Sequence, residues 1–141
     1  MTKRPGPVTA AGDGSRPLRV LGVDPGLANL GLGVVEEVRK EARLLGTIMV
    51  TTSARQAQGE RLLTLRKELQ AFMALHRPDV VAIEGQFLRH QRQTSFKVGQ
   101  AVGVVLLTVA EAGLPVFEYG PEQVKRSLVG NGRADKAQVA F

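Results

Sequence analysis

Cysteine is absent from the chain, which excludes a disulfide framework and a thiolate zinc site and is compatible with a reducing cytoplasm. Acidic residues are the next scarcity. Thirteen Asp and Glu face 19 Lys and Arg over 141 residues, a formal charge of +6 and a pI near 10.3. That balance favours a polyanionic partner over an acidic small substrate, with nucleic acid as the first candidate. No apolar run reaches membrane length: the longest, Val98 to Ala110, falls short of the roughly twenty residues a span needs. Residues 1–17 lack the apolar core of a signal peptide and have no periodicity, so they read as a disordered tail. Its Lys3, Arg4 and Arg16 either touch phosphate or are simply solvated. The expectation is a soluble, cytoplasmic protein with one domain over residues 18–141, large enough to hold a sizeable core.

What is present is an alternation of short apolar runs with amphipathic stretches. Leu18 to Val23 and Leu30 to Val35 read as adjacent strands joined by the tight loop Asp24-Pro25-Gly26-Leu27-Ala28-Asn29, and Ala42 to Val50 completes an antiparallel meander. Gly31 and Gly33 alternate within the second strand, which leaves room for a close approach or marks loose packing. From Gly59 to His76 the residues Leu62, Leu65, Leu69, Phe72 and Met73 recur at helical spacing, and Pro78 ends the pattern. Val80 to Ile83 is a short, wholly apolar strand suited to the centre of a sheet. The helix expected over Thr94 to Ala112 is apolar almost all round, with Gly99, Ala101 and Gly103, so it lies either in the middle of the fold or against a second subunit. Leu114 to Tyr119 is a further strand, Pro121 opens a helix, and a last helix begins near Ala134. That helix has no closing signal before Phe141, which predicts a chain that stops inside an element.

Two of these strands end on a carboxylate. Asp24 follows Leu18 to Val23, and Glu84 follows Val80 to Ile83. Acids at two strand ends suggest a pair at the carboxyl edge of one sheet, where a divalent metal could be held for phosphoryl transfer. Two carboxylates are few for such a site. Glu111, Glu118, Glu122 and Asp135 remain possible additions, whereas Glu36, Glu37 and Glu41 fall at the far edge, and Glu60 and Glu68 on a polar helix face. The segment Gly85 to Lys97 has no acid and suits a phosphate backbone, with Arg89, His90, Arg92 and Lys97 as contacts and Phe87 free to stack on or wedge between bases. Phe96 reads as a core residue. A second basic cluster, Lys125, Arg126, Arg133 and Lys136, surrounds Gly130-Asn131-Gly132 and is either a nucleic-acid contact or an ordinary solvated face.

Taken together, Leu21-Gly22-Val23-Asp24-Pro25-Gly26-Leu27, Ala82-Ile83-Glu84-Gly85-Gln86-Phe87, Lys97-Val98-Gly99-Gln100-Ala101, Pro115-Val116-Phe117-Glu118-Tyr119 and Gly130-Asn131-Gly132-Arg133-Ala134-Asp135-Lys136 resemble the RuvC family of Holliday junction resolvases. The resemblance runs from about Leu18 to the end of the chain. It implies an α/β, ribonuclease H-like fold, a five-stranded mixed sheet with helices on both sides, assembled as a homodimer through the helix bearing Gly99 and Gly103. It implies that Asp24 and Glu84 are catalytic and are two of four acidic metal ligands, that two magnesium ions, or manganese in their place, serve the complete site, and that Phe87 probes the base stack at the crossover. Lys125 and Lys136 match family lysines important for the junction. A branch-migration helicase complex is the implied further partner, in the cytoplasm at the nucleoid. Leu30, Leu32 and Val102 depart from the family pattern. The family carries its last two ligands beyond the position of Phe141, so a junction-binding but catalytically impaired dimer is the alternative. An actin-like ATPase, which also opens on an Asp and a Gly-containing hairpin, would need a second such loop and a much longer chain. A nucleic-acid module without junction preference would bind duplex as tightly as junction.

Overall fold

The computed structural model describes residues 16–84 and 95–119. Five strands form one sheet: β1 Leu18–Asp24, β2 Asn29–Val38, β3 Glu41–Thr51, β4 Val80–Glu84 and β5 Val116–Tyr119, in the order β3-β2-β1-β4-β5. β1, β2 and β3 pair antiparallel, and β4 and β5 join parallel to β1. Helix α1, Gln58–His76, connects the meander to β4, and helix α2, Phe96–Glu111, lies between β4 and β5. The elements expected within these residues are all found, most of the strands a residue or two longer than the apolar runs that announced them. The exception is β5, which starts at Val116 and not at Leu114.

Alternation along the strands gives the sheet two faces of different character. Leu21 and Val23 of β1, Leu30, Leu32 and Val34 of β2 and Val81 of β4 point to one side and pack with Leu65, Leu69, Phe72 and Met73 of α1 and with Ala101, Val105 and Val109 of α2. Most of these side chains are fully buried, and each such burial contributes about 1.5–3 kcal/mol. Both described helices therefore lie on one face. The helix expected from Pro121 is outside the described residues, as are residues 1–15 of the tail and the stretch after Ala134. β4 is central as expected: hydrogen-bonded on both edges, with Val80, Val81 and Ile83 buried.

The end of the sheet remote from the β1 carboxyl terminus is tied together by charge. Arg19 donates from Nε to Glu36 at 3.0 Å and from Nη1 to the His76 carbonyl at 2.7 Å. The Arg19 amide and the Arg16 guanidinium both donate to the Asp79 carboxylate. These bonds fix where α1 hands over to β4. α1 itself stops at Arg77, which takes the left-handed conformation and returns its N–H to the Met73 carbonyl at 2.8 Å, and Pro78 prevents continuation. Glu36 is thus a buried structural partner of Arg19 at the far end, in keeping with its exclusion from the acidic pair.

Phe96 corrects one expectation. It is 81% exposed at the start of α2, where Ser95 caps the helix by accepting from the Val98 amide at 3.2 Å. The face of α2 turned away from the core carries Phe96, Gly99, Gly103, Leu107 and Ala110, all exposed, while Ala101, Val102, Val105, Thr108 and Val109 face inward. Thr108 is tolerated inside because its hydroxyl donates to the Val104 carbonyl at 2.7 Å. No helix among the described residues is long and apolar enough to cross a membrane.

Candidate active site

The register of the sheet brings the two strand-end acids together. β1 and β4 run parallel with Val20 beside Val80, Leu21 beside Val81, Gly22 beside Ala82 and Val23 beside Ile83. Asp24 and Glu84, each the last residue of its strand, are the next step along the same ladder. Neighbours in register share a face and stand about 4.8 Å apart between strands. On the far side of Glu84 stands Tyr119, its partner in β5. On the far side of Asp24 stands Gly31, followed by Met49 of edge strand β3. One row across the carboxyl edge of β1 and β4 therefore reads Met49, Gly31, Asp24, Glu84, Tyr119.

This row lies on the face opposite the two helices. Behind Asp24 the strands themselves contribute only small residues to that face, because Gly22 pairs with Gly33 on one edge and with Ala82 on the other. A Cβ at Gly31 would sit 3.5 Å from the Asp24 Cβ, an ordinary contact for one carbon, while a longer side chain would extend across the carboxylate. The same alternation removes Glu118 from the candidates. It is the register partner of Ile83, not of Glu84, and so belongs to the helix face. Glu111 is engaged with Arg66 at 2.8 Å across α1 and α2. Among the described residues no group of three or more Asp, Glu or His gathers around a possible ion, and Glu122 and Asp135 lie outside them.

The loop that carries the chain out of Asp24 is held from below. Thr52 Oγ1 donates to the Leu27 carbonyl at 2.6 Å and accepts from Arg61 Nε at 3.0 Å, and the Thr52 amide donates to the Ala28 carbonyl at 3.0 Å. Arg61 is only 6% exposed. A buried guanidinium in the first turns of α1 thus braces the backbone that follows the first acid. Gly26 meets a second constraint, since a Cβ there would fall 2.5 Å from the Asn29 carbonyl oxygen. The turn closes only on glycine. Neither Thr52 nor Arg61 was visible as part of the site from the sequence, because a Thr after a strand and an Arg on a helix read as solvent-facing.

The electrostatics suit a cation. Asp24 is exposed at the sheet edge, yet its carboxyl is raised above the usual range by partial desolvation from the protein around it. The Tyr119 phenol is pushed up to about 12, first by burial and then by the charges of Glu84 and Asp24, so both carboxylates lie within electrostatic reach of it. Hard, partly desolvated carboxylate oxygens are the donors that magnesium-like ions take, and a bound cation would offset the cost of keeping Asp24 ionised. The residues present therefore fit a divalent metal, with Asp24 and Glu84 to hold it.

Of the other residues expected to meet nucleic acid, Lys97 is exposed in the first turn of α2. Phe87, Arg89, His90, Arg92, Lys125, Arg126 and Lys136 lie outside the described residues. Tyr119 was missed. The signal was available, because the run Val116 to Tyr119 ends on a polar group as the other two parallel strands do, but a search confined to acids passes over a phenol.

Residues 20–141 match the family model described as crossover junction endodeoxyribonuclease RuvC. The protein of that name from Roseiflexus sp. is 50% identical over 121 residues, covering 86% of this chain and 72% of the relative. That from Thermus thermophilus is 44% identical over 125 residues, covering 86% and 75%. The solved structure of T. thermophilus RuvC in complex with Holliday junction substrate superposes with a TM-score of 0.70 at 43% identity, covering 87% of this chain and 75% of that one. The fowlpox virus Holliday junction resolvase, 12% identical with a TM-score of 0.51 over 81% of this chain and 77% of that one, shares the fold.

Proposed function

The chain belongs to the RuvC family of crossover junction endodeoxyribonucleases, and on that premise we propose that it resolves four-way Holliday junctions by metal-dependent hydrolysis with Asp24 and Glu84 as metal ligands. The observation that carries the assignment of residues is the parallel β1–β4 register, whose last pair, Val23 and Ile83, is followed in each strand by a carboxylate. Family nucleases of this ribonuclease H-like type need a divalent metal. Magnesium is the expected ion, with manganese able to replace it and two ions serving each subunit. When bound, such ions supply Lewis acidity to the scissile phosphate and lower the pKa of a water.

What the chain's own residues do follows from their places. Asp24 and Glu84 present oxygen ligands from adjacent strands of a rigid sheet, which limits their drift relative to each other. The Arg61–Thr52 brace holds the loop after Asp24. Water attacks phosphorus, the bond to the 3′ oxygen breaks, and the products are a 5′-phosphate and a 3′-hydroxyl, which a ligase can rejoin. Lys97, with Arg89, His90, Arg92, Lys125, Arg126 and Lys136, binds phosphates of the junction arms, and Phe87 enters the base stack at the crossover.

A homodimer matches the two-fold symmetry of the junction and accounts for paired nicks. The exposed apolar face of α2 supports it: Phe96 at 81% and Leu107 at 54% exposure flank Gly99 and Gly103, and a Cβ added at either glycine meets nothing within 4 Å. Small residues between large ones allow two helices to approach closely. A branch-migration helicase complex as partner, and a cytoplasmic place at the nucleoid, complete the proposal. The alternative of a junction-binding dimer impaired in catalysis has no observation that favours it. The test is cleavage of a labelled mobile junction with magnesium or manganese against a chelator: paired nicks that vanish in Asp24→Asn while binding persists support the assignment, and loss of binding in that variant makes Asp24 structural instead.

A further inference from the structure

We propose that Met49 positions the strand to be cut, its thioether packing on the deoxyribose that adjoins the scissile phosphate. The proposal rests on the reading of Asp24 and Glu84 as the metal site that cuts DNA. Met49 stands on edge strand β3 opposite Gly31, which is in turn opposite Asp24. With no side chain between them, the methionine reaches inward: a single carbon placed at Gly31 would touch Asp24 Cβ at 3.5 Å and Met49 Cε at 3.7 Å. The tip of an edge-strand side chain thus lies beside the first acid. Met49 is nevertheless 58% exposed, so much of its surface is open to a substrate.

Accessibility along the row favours an approach from β3. Glu84 and Tyr119 are half-buried, whereas Asp24 and Met49 are exposed. Thr47 and Thr51 share the face of Met49, and both are exposed, as is Asn29 opposite Thr51. Successive nucleotides of a duplex strand rise about 3.4 Å, and neighbouring strands of a sheet stand about 4.8 Å apart. A phosphate held over the acids, on a strand entering from the β3 side, therefore places the adjoining sugar over Gly31, within reach of the methionine tip. The chemistry matches. A phosphate calls for cations, but a deoxyribose ring presents carbon-bound hydrogens, and an unbranched, polarisable thioether adapts to such a surface. Of the three residues that β3 sets on this face at the acid-bearing end, Met49 is the apolar one. Arg55, exposed in the turn from Ser53 to Gln56 that follows β3 at the same end, adds positive charge to this path.

The experiment is single-turnover cleavage of an end-labelled mobile junction in manganese over a range of protein concentrations, for wild type, Met49→Leu, Met49→Ala, Met49→Gln and Asp24→Asn. Manganese calorimetry and thermal unfolding of each protein without DNA accompany it. In Met49→Ala the rate at saturation should fall about 10-fold or more. The half-saturating concentration, set mainly by phosphate contacts, should stay at the wild-type value, as should manganese affinity and unfolding temperature. Leu, similar in volume, should restore most of the rate, and Gln, equal in length but polar at its tip, should not. A wild-type rate in Met49→Ala overturns the proposal, and so does a recovery by Gln as complete as that by Leu. A fall in rate accompanied by weaker manganese binding or a lower unfolding temperature also overturns it, because Met49 then supports the protein's own structure. If Asp24→Asn stops cutting while Met49→Ala cuts as wild type does, the metal site stands and the role of Met49 falls. If wild type does not cut, or Asp24→Asn cuts as well as wild type, the metal-site reading falls and takes the proposal with it.

Discussion

Replacing Thr52 by Val exchanges one hydroxyl for a methyl group of similar size and keeps the β-branched shape, so the change isolates two hydrogen bonds. The hydroxyl bridges the Leu27 carbonyl at 2.6 Å and Arg61 Nε at 3.0 Å, while the amide bond to Ala28 needs no side chain and survives. A neutral hydrogen bond of this kind contributes about 1 kcal/mol and one to a charged group about 1.5–3 kcal/mol. Arg61 cannot easily turn to water, being 6% exposed, whereas Thr52 is partly accessible and part of the loss can be made good by solvent. A net cost of about 2–3 kcal/mol follows, which for a domain of this size lowers the unfolding temperature by roughly 10 °C. Thermal unfolding of the metal-free protein, followed by circular dichroism, measures it, with Thr52→Ser as the control that keeps the hydroxyl. Because both bonds pass through one oxygen, Thr52→Val and a truncation of Arg61 should be less than additive in the double variant. A Thr52→Val protein within about 0.5 kcal/mol of wild type, the level of an ordinary surface change, would refute the brace.

Other outcomes follow from the same geometry. Asp24→Asn should abolish metal-dependent cleavage, keep or strengthen junction binding, and raise the unfolding temperature of the metal-free protein at neutral pH. The sign comes from the raised pKa of Asp24: stability present in acid, where the group is protonated in both states, is lost as pH rises through the folded value, so the gain from Asn should fade in acid. Gly26→Ala places a carbon against the Asn29 carbonyl and should cost about 1–3 kcal/mol in thermal unfolding. Cleavage should fall with it, because the shifted turn adjoins Asp24. Leu107→Glu, on the exposed face of α2, should convert a dimer to monomer in sedimentation without lowering helix content. A dimer that survives this change uses another surface.

Much of the fold could be read from the chain because its apolar pattern is regular. Leu65, Leu69, Phe72 and Met73 recur at helical spacing and are the buried face of α1, and the wholly apolar run before Glu84 is the central strand. Asp24 and Glu84 were legible as a pair because both interrupt such runs at the same kind of boundary. What escaped the sequence depends on contacts between distant segments. Arg61 looks polar and is buried, because Thr52, nine positions earlier, receives it. Phe96 looks like core and is exposed, because it precedes the first inward-facing turn of its helix. Glu118 and Tyr119 are adjacent in sequence yet serve opposite faces, and only the pairing with β4 tells which one accompanies the acids.

The most direct test of the whole account sets an end-labelled mobile four-way junction against excess linear duplex, with magnesium, manganese or a chelator, and resolves the products on denaturing gels. The account predicts symmetric pairs of nicks in the junction that require metal, yield ligatable duplexes and disappear in Asp24→Asn and Glu84→Gln. Nicking of linear duplex as readily as junction, or cleavage that persists in the chelator or in either variant, would contradict it.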